Sequence, residues 1–329
     1  MSRAKEEKVP SQAMVYKAEL SQRYWEYQKS QFSARQEFFD RSPAQNVGPP
    51  VFRVHEAGRN VIVRPDASQQ ETDRLLALLP KSDRHKWFRS MNSSQALAQS
   101  VLGNLAIYDC LSSLIQLEDD EGIALLGTAQ ASSANFAMEF KINHLGEKAG
   151  RHTSLDGHLG GDHRVAIECK FTESEVGRCS RPSLKPCESE HCDGKYERQG
   201  ARRERCSLTE IGVLYWQYVP QLFRWNGDQD LNDCPLNATY QLVRNILAVG
   251  VSPNGQVSSD NGHVVLFYDE RNPSFQEGGK GFIAYNDTKL ALREPTMLRK
   301  CSWQRITKHL RNEGTLSWLT EQLALKYGL

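Results

Sequence analysis

The feature that most constrains this chain is a pair of strand-patterned runs joined by a glycine turn. Thr153–Leu159 (TSLDGHL) and Arg164–Phe171 (RVAIECKF) are separated by Gly160-Gly161-Asp162-His163, residues that favour a tight reversal. The second run alternates. Val165, Ile167, Cys169 and Phe171 share an apolar face, while Ala166, Glu168 and Lys170 share the other. Side chains two apart on a strand lie about 6.6 Å from each other on one face, so the Glu168 carboxylate and the Lys170 ammonium are aimed together. The turn returns Asp156 alongside Glu168. Two carboxylates so placed can hold a divalent cation with the lysine beside them, a set suited to phosphodiester hydrolysis. The cation would polarise a phosphate oxygen and acidify a water. Lys170 would orient that water or neutralise the phosphorane.

Elements around the hairpin fall into a definite order. Residues 11–41 lack Gly and Pro and carry aromatics on a stripe, which predicts a helical arm over 1–47 that ends at Gly48, Pro49 and Pro50. The remainder, 48–329, reads as one domain. A short strand is expected at Asn60–Arg64 (NVIVR), then a helix at Gln70–Leu79. Ser93 and Ser94 offer an N-cap to a buried helix running over Gln95–Ile115. Strands are expected at Asn135–Ile142, Thr153–Leu159 and Arg164–Phe171, a helix at Ala238–Val249, a fourth strand at His263–Tyr268, and mainly helix over 290–329. A Cys- and Arg-rich insertion interrupts this order at about 172–235, most irregular over 172–205; long insertions of this kind are commonly functional or mobile.

The order helix, three strands, helix, strand, together with Asp156 and Glu168-Cys169-Lys170, resembles the PD-(D/E)XK nuclease superfamily. The stretches SSQALAQSVLGNLA, TSLDGHL, AIECKFTESEVGRC and YQLVRN are similar to its bacterial restriction-endonuclease-like branch, and the resemblance covers roughly residues 90–270. It implies an α/β fold with a restriction-endonuclease-like αβββαβ core: a mixed four-stranded sheet flanked by helices, with N- and C-terminal helical additions. It makes Asp156 the first metal-binding carboxylate and Glu168-Cys169-Lys170 the E-x-K element, although Leu155 stands where the superfamily's name has Pro. Mg²⁺ or Mn²⁺ would be held by Asp156, Glu168 and the Cys169 carbonyl. Related enzymes similar to RecB-type nucleases place a Gln on the second helix, which makes Gln241 a further catalytic candidate. Gln95 stands where others carry a Glu that helps the metal through water, and Glu139 and Glu147 are candidates for a second metal. The implied activity is metal-dependent cleavage of DNA by an endonuclease, in restriction or phage defence. The alternatives are an exonuclease or repair nuclease of the same fold, or a non-catalytic binding protein.

Charge and cysteine content narrow the partners. With 41 Lys+Arg against 40 Asp+Glu, the chain is not a polycation that coats nucleic acid, so any DNA contact depends on local patches. Arg202, Arg203 and Arg205 border the expected cleft, and Arg299, Lys300, Arg305, Lys308 and Arg311 recur around Trp303. Five of the eight cysteines fall in the insertion: Cys179-x7-Cys187-x4-Cys192-x13-Cys206, with His191 beside them, and Cys234 beyond. Such a set can bind structural Zn²⁺ or an iron–sulfur cluster. No C-x2-C pair is present and the spacings are loose, so isolated thiols are the reading preferred from spacing. No apolar run approaches the length of a membrane helix, and MSRAKEEKVPSQ has no apolar segment behind it, which points to a cytoplasmic protein.

Overall fold

A computed structural model describes residues 10–40, 48–147, 152–195, 203–225 and 233–329. Helix α1 (Gln12–Gln31) is capped by Ser11 and buries Tyr16, Leu20 and Tyr24, one residue per turn on a single stripe. Helix α2 (Gln69–Ala77) starts from a capping box in which Ser68 and Glu71 satisfy each other's backbone N–H. Helix α3 (Ser94–Ala98), capped by Ser93, runs through a π-helical turn at Gln99–Gly103 into α4 (Asn104–Ile107). The helix expected to reach Ile115 therefore ends early. Asp109 enters the left-handed region (φ 54°), and the Cys110 N–H reaches back to the Leu105 carbonyl at 2.7 Å, a Schellman-type stop with Asp in the usual glycine position.

Strands β1 (Phe136–Ile142), β2 (Thr153–Leu159) and β3 (Arg164–Cys169) come next. They are followed by short helices α5 (Ser207–Glu210) and α6 (Tyr215–Leu222) and the long α7 (Leu236–Gly250). The chain ends with β4 (Gly262–Tyr268), α8 (Lys280–Ala291), β5 (Leu298–Ser302), α9 (Trp303–Asn312) and α10 (Ser317–Tyr327). The sheet order is β1-β2-β3-β4-β5. The first two pairings are antiparallel and the last two parallel.

Helices cover both faces of this sheet. On one side Val165, Ile167, Val265 and Phe267 pack with Tyr16, Leu20 and Tyr24 of α1, Leu97 and Leu105 of α3–α4, Ile306 of α9 and Leu323 of α10. On the other, Ala166, Val264 and Leu266 pack with Val219 of α6, Leu242, Val243 and Ile246 of α7, and Tyr285 of α8. Burial on both faces explains why β4 reads as a continuous apolar run and not as an alternation. Among the described residues no helix is long and apolar enough to cross a membrane.

Two expectations are corrected here. Among the described residues the sheet has five strands where four were expected, because β5 (LRKCS) hides two basic residues inside a segment that reads as helical. Arg299 is only 8% exposed and donates to the carbonyls of Thr296, Ala124 and Leu125. Lys300 lies over the rings of Tyr268, Phe282 and Tyr285. Conversely, NVIVR is no strand. The Ile62 N–H donates to Ser100 Oγ at 2.9 Å and its carbonyl accepts from Asn104 Nδ2 at 2.8 Å. Polar side chains of the π-turn helix thus take the hydrogen bonds that a neighbouring strand would have supplied.

Candidate active site

The site forms where the hairpin opens. Pairing between β2 and β3 runs from Leu159↔Val165 through His158↔Ala166 to Gly157↔Ile167 and stops there. One step further the Cys169 N–H donates to the Asp156 carboxylate (Oδ2, 2.7 Å) in place of a β2 carbonyl. Asp156 thus fills the fork between diverging strands. On its other side, Met138↔Gly157 and Phe140↔Leu155 bracket an unpaired Glu139 and Asp156. Glu139 has φ 47°, a conformation that costs a residue with a Cβ on the order of 1–3 kcal/mol. Both strands change face at this point. Phe136, Met138 and Leu159 enter the core on the α1 side, whereas Ile142 and Leu155 enter the core on the α7 side.

Glu168 and Lys170 lie on the α7 face of β3 and its continuation, as alternation requires. Glu168 is fully buried. Lys170 Nζ stands 2.7 Å from its Oε1, and Asn245 Nδ2 donates to its Oε2, also at 2.7 Å. Lys170 Nζ also donates to Gln241 Oε1 at 3.2 Å. Gln241 and Asn245, four residues apart on α7, therefore present one face to the pair. The chain leaving β3 folds back over this helix. The Gln241 N–H donates to the Gly177 carbonyl at 3.2 Å, and a Cβ on Gly177, whose φ is 117°, would lie 2.1 Å from Gln241 Oε1. Only glycine fits that approach. The Cys169 side chain points away into the α1-side core, so only its backbone faces the carboxylates.

Glu139 joins the group from β1. It accepts from Ser154 Oγ and from Gln95 Nε2, and Gln95 is itself fixed by the His85 N–H on its Oε1 at 2.9 Å. The electrostatics are those of crowded acids. Burial, then Glu168 and Glu139, push Asp156 well above the usual carboxylate range. Burial also raises Glu139, partly offset by its bonds from Ser154 and Gln95, with Glu168 raising it further. Burial alone would lower Lys170, but Glu168, Glu173 and Asp156 outweigh it and hold the ammonium above its ordinary value. Three carboxylates around one cation leave excess negative charge that a bound metal ion would neutralise.

The other residues singled out from the sequence stand elsewhere. Glu147 closes a loop by accepting from the Thr153 N–H (2.7 Å), Thr153 Oγ1 and Tyr215 OH. Arg202 lies outside the described residues. Arg203 is exposed, with its backbone N–H on Glu210 Oε2 at 3.2 Å, and Arg205 is half-buried. Arg299 and Lys300 are committed within the fold as above, and Arg305 donates to the carbonyls of Glu118 and Asp119. Lys308 and Arg311 remain exposed. Asn245 was missed as a site residue. Its signal was available, because it lies four residues after Gln241 on the same helix.

A family model described as Restriction Endonuclease associating with ARP matches residues 13–328. The chain belongs to that family. No curated protein and no solved structure matches. The restriction endonuclease family match runs from α1 to α10, so it takes in the terminal helices as well as the sheet. Among the described residues of this family member, no three His, Cys, Asp or Glu side chains form a group able to hold a metal ion unaided. An ion at Asp156 and Glu168 would depend on two carboxylates, main chain and solvent.

Proposed function

We propose that this chain is a metal-dependent DNA endonuclease of the PD-(D/E)XK type, serving in restriction or phage defence. The observation that carries the reading is the meeting of Asp156, Glu168, Lys170 and Gln241, from two strands and a helix, at the fork of the sheet. Mg²⁺ or Mn²⁺ fits the donor set. Asp156 and Glu168 supply hard carboxylate oxygens, and the Cys169 carbonyl shares the strand edge of the N–H that meets Asp156. Mg²⁺ keeps several waters, so two carboxylates and one carbonyl suffice from the protein. When bound, the ion supplies positive charge that polarises the scissile phosphate. Asn245 holds one oxygen of Glu168 and so fixes the orientation of the other. Lys170, kept protonated by its acidic neighbours, offers a donor to the attacking water or to the phosphate oxygen that gains charge. Gln241 accepts from Lys170 through Oε1, which leaves its amide N–H groups to steady a phosphate oxygen. Arg202, Arg203 and Arg205 contact duplex phosphates, each contact releasing roughly one counterion. A protein partner, ARP in the family's description, associates with the chain.

Cleavage of linear, closed-circular and single-stranded DNA by the purified chain, with Mg²⁺ or Mn²⁺ against EDTA, tests this. Nicking or linearisation of closed circles is expected only with the divalent ion. Asp156→Ala and Glu168→Ala should abolish it, and Lys170→Ala should reduce it heavily. Parent-like cleavage by either carboxylate variant, or cleavage in EDTA, would sink the assignment.

A further inference from the structure

Among its described residues the insertion carries little regular structure before α6: one 3-10 turn at Arg181–Ser183 and the single-turn α5. Segments this poor in secondary structure and core commonly need a covalent or metal staple. Four cysteines from four separate stretches, Cys179, Cys192, Cys206 and Cys234, line one cavity of about 20 Å³ between the insertion and the start of α7. Main-chain bonds draw those stretches together. The Cys179 N–H donates to the Asn237 carbonyl at 2.9 Å, that of Cys234 to Gly194 at 2.7 Å, and that of Cys192 to Arg181 at 3.5 Å. Gly194 (φ 82°) passes so close to α7 that a Cβ there would lie 2.8 Å from Asn237 Nδ2.

The sulfurs are also met by donors. The Arg181 N–H is directed at Cys179 Sγ, and the N–H groups of Leu208 and Thr209, with the Thr209 hydroxyl, are directed at Cys206 Sγ. Burial raises both thiols, Cys179 to about 11, and these donors offset that only in part while orienting each sulfur. Cys187 is exposed and takes no part in this cavity.

We propose that Cys179, Cys192, Cys206 and Cys234 bind one structural zinc ion that locks the insertion onto the amino end of α7. The soft four-sulfur set suits Zn²⁺, which takes tetrahedral thiolates at about 2.3 Å. The cavity of about 20 Å³ is the size of a single small guest, and one Zn²⁺ is such a guest. The thiols are not yet gathered at bonding distance. Closing a shell around the ion therefore requires rotamer changes at these cysteines, each of which moves a sulfur by up to roughly 3 Å. Binding releases the four thiol protons and leaves a tetrathiolate of net charge −2, beside which Arg181 lines the same wall. The lock also serves the neighbouring site. Cys179 follows Gly177, the residue that packs on Gln241, and Cys234 precedes the helix that carries Gln241 and Asn245. Zinc binding is independent of the nuclease reading, and its test needs no cleavage assay.

Elemental analysis of the full chain should find one zinc per chain. Co²⁺ exchanged in its place should give the visible d–d and near-ultraviolet charge-transfer bands of a tetrahedral tetrathiolate. Cys192→Ser and Cys206→Ser should each lower zinc affinity at least tenfold, while Cys187→Ser keeps one zinc. If a serine variant fails to fold, the cobalt spectrum of the unaltered chain still decides. Protein that stays metal-free after incubation with zinc and reductant overturns the proposal, as do iron with sulfide, disulfides among the four, or full zinc binding by Cys206→Ser.

Discussion

Replacing Asn245 with leucine keeps the branched shape and heavy-atom count of the side chain on the buried face of α7 and removes the amide that donates to Glu168 Oε2 at 2.7 Å. Among the described residues Asn245 Oδ1 has no partner, so the substitution strands no described group on the helix side. What it strands is a fully buried carboxylate oxygen. A hydrogen bond to a charged acceptor contributes about 1.5–3 kcal/mol, and each ~1.4 kcal/mol is tenfold in an equilibrium constant. If Asn245 holds Glu168 in its metal-binding orientation, the loss falls on the metal equilibrium. The half-saturating Mg²⁺ concentration for nicking of closed-circular DNA should rise roughly 10- to 150-fold, with the maximal rate largely recovered at high Mg²⁺. Mn²⁺ titration by calorimetry should show the same displacement without any turnover. A folded Asn245→Leu protein whose half-saturation lies within twofold of the parent by both measures would refute the assignment of Asn245 as the residue that positions Glu168.

Two further outcomes follow from charges the fold buries. Asp156→Asn keeps an oxygen to accept the Cys169 N–H and removes one of three crowded carboxylates, so in EDTA it should melt higher than the parent. We expect roughly 2–4 °C, about 1 kcal/mol in a large domain. The sign follows from linkage: a carboxylate raised on folding gives stability that is full below its unfolded value and is lost as pH rises through its folded one. The gain should therefore shrink towards acid pH, and a lower melting point at neutral pH would contradict the crowding. Lys326 is 1% exposed, bound to Asn60 Oδ1 at 2.8 Å, and burial pulls it down from 10.5 to about 7. Here the unfolded chain binds the extra proton between those values, so stability rises with pH across that window. Between pH 7 and 9 the parent should gain about 2 kcal/mol relative to Lys326→Met in urea unfolding; parallel pH profiles would show that the ammonium stays charged.

Strands β1 to β4 were legible because their patterns are local. TSLDGHL and RVAIECKF flank a glycine turn, and HVVLFY is an unbroken apolar run of the kind a doubly covered strand needs. What escaped was decided by distant partners. β5 reads as basic and helical until Arg299 is seen to donate to the carbonyls of Ala124 and Leu125, well over a hundred residues away. NVIVR has strand composition, yet Ser100 and Asn104 satisfy its backbone, and no local pattern announces that. The cysteines are a third case. Spacing set Cys234 apart and grouped Cys187 with the rest, whereas in the folded chain Cys234 lines a cavity with Cys179, Cys192 and Cys206, and Cys187 does not.

At the site itself, period-two alternation carried the reading of β3, but it does not hold along β2. Alternation puts Leu155, Gly157 and Leu159 on one face. In the structure Leu155 packs on the α7 side and Leu159 on the α1 side, because β1 and β2 turn over together at Glu139 and Asp156. That reversal brings Asp156 and Glu139 to the fork beside Glu168. A regular β2 would have spent the Cys169 N–H on a main-chain carbonyl, and Asp156 would have had no backbone donor to hold it. The left-handed backbone at Glu139 is thus a local cost of the crowded acidic site, at a residue where composition gives no hint of a break. The same geometry explains why the lysine could be read without it. Lys170 lies two residues beyond Glu168 on a strand whose pleat is undisturbed, so their 2.7 Å contact follows from alternation alone, whereas the contact between Asp156 and the Cys169 N–H requires the sheet to open.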